Sequence, residues 1–141
     1  MATPASAEKR PKWKTIAYWV TTILGPFSFI VGGTLFLTGG EQPVSQFTHL
    51  GLPLYLLKIL GFWKIAGAIV SVLPGLPRLK EWVYAGFFFE LTGAAAVHIA
   101  VGDPAFADGP SAFGPALLFL VIVMISYVLR PPSRRLPGPV L

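Results

Sequence analysis

Residues 53–73 read PLYLLKILGFWKIAGAIVSVL, an apolar segment that contains two lysines, Lys58 and Lys64. A helix of about 20 apolar residues is long enough to cross a hydrocarbon layer of about 30 Å. A lysine near the centre of such a helix costs about 2.5–3.5 kcal/mol to insert, whereas each Leu, Ile, Phe or Val returns about 0.3–0.6 kcal/mol. The segment is therefore marginal as an isolated span, and we expect a polar partner on a neighbouring helix.

Three more apolar segments of similar length lie on either side of this one. The predicted helices are 15–37, 82–101 and 111–129, and Gly25-Pro26 should kink the first because proline removes a backbone donor. The chain is 54% hydrophobic and 12% charged, about half the charge of an ordinary soluble domain. These features predict an all-α integral membrane domain over residues 15–129, built as a four-helix up-down bundle in the lipid bilayer.

The segments outside these helices are short and rich in Gly, Pro or charge. We predict an outer connection over about 39–52 and a tight cytoplasmic turn at Pro74-Gly75-Leu76-Pro77. Residues 1–14 are predicted to be a disordered basic N-terminal tail, and residues 130–141 a mobile Pro/Arg-rich cytoplasmic tail. No segment long enough to form a separate extramembrane domain is left.

The basic residues alternate with the predicted spans. Nine of the eleven lie before the first span, between the second and third, or after the fourth: Lys9, Arg10, Lys12, Lys14, Arg78, Lys80, Arg130, Arg134 and Arg135. The other two connections carry only the acidic residues Glu41, Asp103 and Asp108. By the positive-inside rule, this multi-pass chain has both termini in the cytoplasm. The same distribution argues against a nucleic-acid interface.

Cofactor and metal signals are weak in this sequence. The chain has no cysteine, which excludes disulfides, thiolate metal sites and thiol–quinone chemistry. His49 and His98 lack the spacing of a metal-ligand pair, so no metal site is predicted. No cofactor is evident, although a quinone or another lipophilic ligand remains an open alternative.

Depth along the helices predicts a buried polar site. Lys64 lies roughly 13 Å, and Glu90 roughly 12 Å, above the cytoplasmic ends of two helices joined by a tight turn, so we predict that they pair. Lys58 and His98 share a second level roughly 22–24 Å from that end. The pair is either a structural lock or a functional site. Lys58 could instead extend to the outer headgroups, and His98 could be an interfacial histidine.

Small and aromatic residues accompany the charges. Small positions let transmembrane helices approach closely, and packing alone is one interpretation of them. The other interpretation is a pocket beside the charged pair. Its candidate lining residues are Gly61, Trp63, Gly67, Gly86, Gly93 and Ala94.

An ordered set of short motifs resembles the DoxX-like membrane proteins. The set comprises Lys58-Ile59-Leu60-Gly61, Lys64, Gly67-Ala68, Lys80-Glu81-Trp82-Val83-Tyr84-Ala85-Gly86, Gly93-Ala94, His98 and Gly102-Asp103. The resemblance covers roughly residues 16–129 and implies a four-helix protein of the bacterial cytoplasmic (inner) membrane. It draws attention to Lys58, Lys64, Lys80, Glu81, Trp82 and His98 without assigning them roles. The chain has Val97 where many members have a serine before the histidine.

Three functions are compatible with these features. The first is an accessory or ligand-binding membrane module that binds partner helices, a partner subunit, a second copy of itself, or a lipophilic ligand. The second is an integral membrane enzyme or quinone-reactive oxidoreductase subunit that uses the Lys64/Glu90 site, since relatives include a subunit of a thiosulfate:quinone oxidoreductase. The third is a small-molecule or proton transporter. Whether the chain is an enzyme is left open by its sequence.

Overall fold

The structure, a computed structural model, describes residues 9–103 and 114–137, and every regular element within those ranges is helical. The helices are α1 (Lys12–Leu24), α2 (Phe29–Thr38), α3 (Glu41–His49), α4 (Tyr55–Val72), α5 (Pro77–Ala100) and α6 (Gly114–Val128). Two short 3-10 turns lie at Pro26–Ser28 and Pro132–Arg134. The predicted all-α class is confirmed for the described residues.

The first predicted span is one apolar helix with a break in it. The break falls at Gly25-Pro26, as predicted, and separates α1 from α2. Because a helix end leaves carbonyls without partners, the Ser28 hydroxyl donates to the Leu24 carbonyl at 2.9 Å. At the far end, Gly39 adopts the left-handed conformation (φ 74°) that terminates many helices.

Helix α3 lies within residues 39–52, where the sequence predicts a connection between spans and no helix. It is a short amphipathic helix that buries Pro43 and Phe47 and leaves most of its other side chains exposed. Glu41 lies in its first turn, where a negative charge is favourable. Nine residues flanked by Gly39-Gly40 and interrupted by a proline carry too little periodicity to predict a helix.

The next two helices agree closely with their predictions. α4 lies within the predicted 53–73, and the tight turn before Pro77 is confirmed, with Gly75 and Leu76 at positive φ. α5 begins at Pro77, five residues earlier than predicted, because proline is well suited to a first helical turn. α6 begins at Gly114, and the predicted start at residue 111 lies outside the described residues.

Within residues 9–103 and 114–137, three helical segments are long and apolar enough to cross a membrane: Lys12–Thr38, Tyr55–Val72 and Pro77–Ala100. Ala116–Val128 is a shorter apolar helix. In lipid, a spanning segment must satisfy its backbone hydrogen bonds internally, and a helix does so. The chain therefore has the helices of a membrane protein.

The helices pack in a closed order, with α2 against α4, α4 against α5, α5 against α6 and α6 against α1. The α2–α4 contact is the most extensive and brings two backbones together. A Cβ added to Gly33 would lie 2.8 Å from the Gly61 carbonyl oxygen, so both positions require glycine. The buried core is formed by Phe29, Ala68, Tyr84, Phe87, Leu91 and Val123.

The two predicted tails are more ordered than expected where the structure describes them. Residues 12–14 already belong to α1, which corrects the predicted tail over 1–14. Residues 130–137 are not extended: Pro132–Arg134 form a 3-10 turn, and Arg134 donates to the carbonyl of Val72 at 2.9 Å. The remainder of both predicted tails, residues 1–8 and 138–141, lies outside the described residues.

Candidate functional site

A cavity of about 770 Å³ lies between α2, α4, α5 and α6, on the side of the molecule where α3 is found. Its volume is in the range of small-molecule sites, about 300–1,000 Å³. Its wall is mostly apolar and includes Phe29, Val31, Leu35, Phe36, Phe47, Leu50, Leu52, Leu56, Leu60, Leu91, Val97 and Phe119. Lys64, Glu90, Gln46 and His98 are the polar side chains that matter for its chemistry.

The Lys64 ammonium contacts the Glu90 carboxylate through Nζ and Oε1 within this cavity. The two side chains are 11% and 20% exposed. Lys64 Nζ also lies 4.6 Å from the ring centre of Phe29 and 4.8 Å from that of Phe36, which is within cation–π distance. A desolvated charge pair flanked by aromatic rings is thus presented to the cavity.

A second polar group lies at the end of the cavity next to α3. His98 Nδ1 is 2.7 Å from Asp103 Oδ2, and the Gln46 amide nitrogen is 3.2 Å from His98 Nε2. His49 Nε2 lies 3.7 Å from the same Asp103 oxygen. Since Gln46 belongs to α3 and His98 to α5, this cluster connects α3 to the end of α5.

The two polar groups are separated by an apolar wall. Glu90 and His98 are eight residues apart on α5, which corresponds to roughly 12 Å along the helix axis. Gly93, Ala94 and Val97 lie between them and line the cavity. The site can therefore accommodate a molecule with an apolar body and at least one polar group.

The rim of the cavity is exposed. Val31 and Leu35 of α2 are 65% and 44% exposed, and Phe89 of α5 is 71% exposed, although all three line the cavity. Gly93 and Ala94 are exposed as well. The cavity therefore opens sideways between α2 and α5, on a surface that is apolar.

The predicted lining is corrected at four positions. Gly61 packs against α2, and Gly67 packs against the Phe87 ring, which would lie 3.0 Å from an added Cβ. Trp63 is 64% exposed, and among the described residues none has an atom within 4 Å of a Cβ added to Gly86. Gly93 and Ala94 do line the cavity. Rotation about each helix axis decides which residues face the cavity, and spacing alone did not settle that rotation.

The predicted second level, with Lys58 near His98, does not form a unit in the structure. Lys58 is exposed and donates to the Leu37 carbonyl near the C-terminal end of α2. His98 instead interacts with Asp103 and Gln46. The two side chains point to different neighbours because α4 presents Lys58 to α2 and not to α5.

The opposite end of the molecule holds a second cluster of polar residues. Lys80 is fully buried and donates to the carbonyls of Val70, Ser71 and Leu73 at the C-terminal end of α4. A cation near the end of a helix, where carbonyls lack helical partners, is favourable. Lys80 therefore caps α4 from the first turn of α5.

The neighbouring residues of this second cluster connect α5 to α6. Glu81 accepts hydrogen bonds from Arg130 at 2.7 Å and from the Tyr127 hydroxyl at 2.8 Å. The Ser126 hydroxyl lies 2.8 Å from the Tyr84 hydroxyl and 2.7 Å from the Thr22 hydroxyl, and all three residues are buried. These contacts explain Lys80 and Glu81 as structural residues. Trp82, the third position of that motif, is 79% exposed.

Sequence reasoning missed several residues of these clusters. Gln46 and Phe47 went unrecognised because the helix that carries them was not predicted. For Asp103, the sequence indicates a charge in an outer connection and a place in the Gly102-Asp103 motif, but it does not predict the contact with His98. Ser126 and Thr22 carry no sequence signal, since isolated hydroxyl residues are common in apolar helices. Their pairing depends on how α1, α5 and α6 meet.

Metal binding was not predicted from the sequence. Across residues 9–103 and 114–137, no three or more His, Asp or Glu side chains are grouped so that they could hold a metal ion. Both histidines nevertheless approach Asp103, a proximity that the sequence did not indicate.

Fold and composition together define a small helical membrane protein, and its helices enclose a mostly apolar cavity whose wall contains the Lys64–Glu90 pair. The chain belongs to the DoxX-like family, because the sequence model of that family matches residues 20–126. The family resemblance drawn from the sequence motifs is thereby confirmed. No curated protein and no solved structure gives a significant match to the chain.

Proposed function

We propose that this DoxX-like protein crosses the bacterial cytoplasmic membrane four times and binds a lipophilic small molecule in the cavity beside Lys64 and Glu90. Both termini lie in the cytoplasm in this proposal, and the protein acts as an accessory or ligand-binding module. It works either as a homo-oligomer or with a partner membrane subunit. The observation that carries the proposal is the location of a mostly buried charge pair, with side chains 11% and 20% exposed, in a laterally open apolar cavity.

The proposed orientation is supported by contacts at one end of the helices. Arg10 donates to the Leu129 carbonyl, Lys80 caps α4, and Arg134 lies near Tyr18 and the end of α4. The N-terminal start, the α4–α5 turn and the C-terminal segment therefore meet at one end, which is also the basic end. Four apolar helices of alternating direction agree with this arrangement, and the shorter Ala116–Val128 would be the fourth span.

Ligand binding is supported by the energetics of the charge pair. Taking two charges out of water costs several kcal/mol per ion, and mutual attraction only partly offsets that cost. A pair needed only to join α4 and α5 would be replaceable by apolar residues of similar size. Placing the pair at the wall of a cavity instead makes its donors and acceptors available to a bound molecule.

Photolabelling in nanodiscs tests the proposal. We expect hexadecanol that carries a diazirine to label cavity residues of α2 and α5, with the labelled peptides identified by mass spectrometry. Gly93→Phe should narrow the cavity and reduce labelling at least tenfold, because Gly93 lines the cavity and no described residue has an atom within 4 Å of a Cβ added there. The readout is the label per folded protein.

Gly86→Phe is the matched control. Gly86 lies on the same helix, has the same free space around an added Cβ, and does not line the cavity, so its labelling should stay at the wild-type level. Labelling that is spread evenly over all lipid-facing residues, or that is insensitive to Gly93→Phe, would contradict ligand binding at this site.

A quinone-reactive function is the second candidate, and the His98–Asp103 contact favours it. A histidine held by a carboxylate is a common arrangement for proton transfer, and Glu90 offers a second titratable group in the same cavity. With no cysteine in the chain, electrons would come from a partner subunit. A short-chain ubiquinone that competes with the photolabel far better than hexadecanol does would favour this candidate over the first.

A further inference from the structure

The net charge of the cavity bears on what it can hold. Among the described residues that line it, the ionisable side chains are Lys64, Glu90 and His98. Lys64 and Glu90 contact each other, so their charges sum to zero whether the proton lies on the amine or on the carboxylate. The net charge of the central part of the cavity lining is therefore zero without a ligand.

The end of the cavity near α3 offers no surplus positive charge. His98 contacts the Asp103 carboxylate, and Asp103 is buried and lies outside the cavity lining. If His98 is neutral, this end is negative; if His98 is protonated, Asp103 balances it. His49, which lies 3.7 Å from the same Asp103 oxygen, is 61% exposed and does not line the cavity. In neither state of His98, therefore, do the described lining residues include a cation in excess that could neutralise an anionic headgroup.

An ionised headgroup would thus be a third and unbalanced charge in an apolar cavity. Burying a charge without a partner is strongly unfavourable, whereas a hydrogen-bonded neutral group is tolerated. Ammonium groups have three donors and carboxylates have several acceptor sites, so the pair can bind a hydroxyl or carbonyl while staying paired. Resting on the function proposed above, we infer that the cavity selects uncharged amphipathic lipids and rejects fatty acids and alkylamines.

The lateral opening agrees with this ligand class. The exposed rim residues Val31, Leu35 and Phe89 are apolar and lie on helices of the spanning segments. A molecule that enters between them must leave the bilayer interior or its interface. Uncharged long-chain alcohols and esters reach that depth without the cost of dehydrating an ion.

Competition among four probes of the same chain length tests the inference. The photolabel is displaced in nanodiscs at neutral pH by hexadecanol, methyl hexadecanoate, hexadecanoic acid or hexadecylamine, with the amount of each in the bilayer measured. We expect the two uncharged probes to compete at least tenfold better than the two charged ones. Equal competition by the acid or the amine would overturn the inference.

The inference and the proposed function fail in different ways. If both charged and uncharged probes compete, and Gly93→Phe abolishes labelling, the cavity binds lipids without selecting by charge and only the inference is wrong. If no probe competes and Gly93→Phe has no effect, the cavity is not a binding site and both are wrong.

Removing one member of the pair should invert the preference. Glu90→Gln leaves Lys64 positive and should improve competition by the acid at least tenfold, and Lys64→Met should do the same for the amine. Unchanged probe ranking in a folded single variant would contradict the inference. The double variant, which is neutral again, should fold and should keep the preference for uncharged probes, because replacing both partners of a buried pair is often tolerated.

Since a single variant strands a charge and can fail to fold, Gly93→Asp provides a second route to the same result. It adds a negative charge at the rim where an added Cβ meets no atom within 4 Å. We expect competition by hexadecylamine to improve at least tenfold, whereas Gly86→Asp, outside the cavity, should leave the ranking unchanged. An identical ranking in both aspartate variants would overturn the inference.

Discussion

Polar side chains at one end of this molecule are bound by other protein groups, whereas those at the other end line a cavity. At the basic end, Lys80 donates to carbonyls of α4, while Arg130 and Tyr127 both donate to Glu81. At the α3 end, the Lys64–Glu90 pair and His98 line a cavity of about 770 Å³ whose rim is exposed. Charged side chains at the basic end bind backbone carbonyls at a helix end and join helices, whereas charged side chains at the α3 end line a cavity.

The difference suggests a division of roles between structure and binding. Buried polar groups stabilise a fold when all their partners are supplied by the protein. Most buried polar groups of the basic end meet that condition through contacts among α1, α4, α5, α6 and the C-terminal segment, the exception among the described residues being the buried Arg10 Nη1, which has no hydrogen-bond partner. Groups that border a cavity are available to another molecule instead. Substitutions at the basic end should therefore reduce stability, and substitutions in the cavity should change ligand binding.

Lys80→Met should produce the largest loss of stability. It removes three charge-assisted hydrogen bonds to α4 carbonyls, and we expect the free energy of unfolding to fall by about 3 kcal/mol or more. Unfolding by SDS titration of the protein in mixed micelles measures this change. Arg78→Met, which removes an exposed basic residue two positions earlier, is the matched control and should change stability by less than about 0.5 kcal/mol. If Lys80→Met and Arg78→Met lowered the free energy of unfolding equally, the buried contacts of Lys80 would not be what stabilises the basic end.

Ser126→Ala should have an intermediate effect. Its hydroxyl is the shared partner of the Thr22 and Tyr84 hydroxyls, so the substitution leaves two buried groups short of a hydrogen bond. We expect a loss of about 1–3 kcal/mol in the same titration. Ser45→Ala, on the exposed face of α3, should be close to neutral. Photolabelling of the cavity should be unchanged in folded Ser126→Ala, and a selective loss of labelling would show that the ends are coupled.

Gly93→Ala should have the smallest effect on stability. An added Cβ meets no atom within 4 Å, and alanine is the better helix former by about 0.8–1.0 kcal/mol, so we expect a small gain or no change. Gly61→Ala provides the contrast, because its Cβ would lie 2.9 Å from the Gly33 carbonyl oxygen and should cost about 1–3 kcal/mol. A large loss from Gly93→Ala would mean that the cavity end is as tightly packed as the α2–α4 contact.

The fold was largely predictable because its signals are local. Long apolar segments predict the membrane helices, and Gly25-Pro26 and Pro74-Gly75-Leu76-Pro77 predict the break and the turn. Helix α3 was not predictable in the same way. Its nine residues begin after two glycines, contain a proline and bury few side chains, so local composition gives no signal for a helix there.

The candidate site was predictable only in part. Helical rise and the short α4–α5 turn were enough to place Lys64 and Glu90 at the same depth. The cavity beside them was not predictable, since Gly93 faces it and Gly86, on the same helix, does not. The Asp103 and Gln46 contacts of His98 also depend on where α3 lies relative to the end of α5.

The sequence by itself determined that this is a helical membrane protein, where its apolar helices lie, and at which ends of those helices its basic residues occur. These properties depend on the length and composition of each segment, because each segment partitions into the bilayer according to its own hydrophobicity. Only the tertiary structure decided that Lys80 caps the C-terminal end of α4, that α3 lies beside the cavity, and which small residues line that cavity. Those features depend on the rotation and contact of helices distant in sequence, and packing selects one arrangement among many with the same apolar pattern.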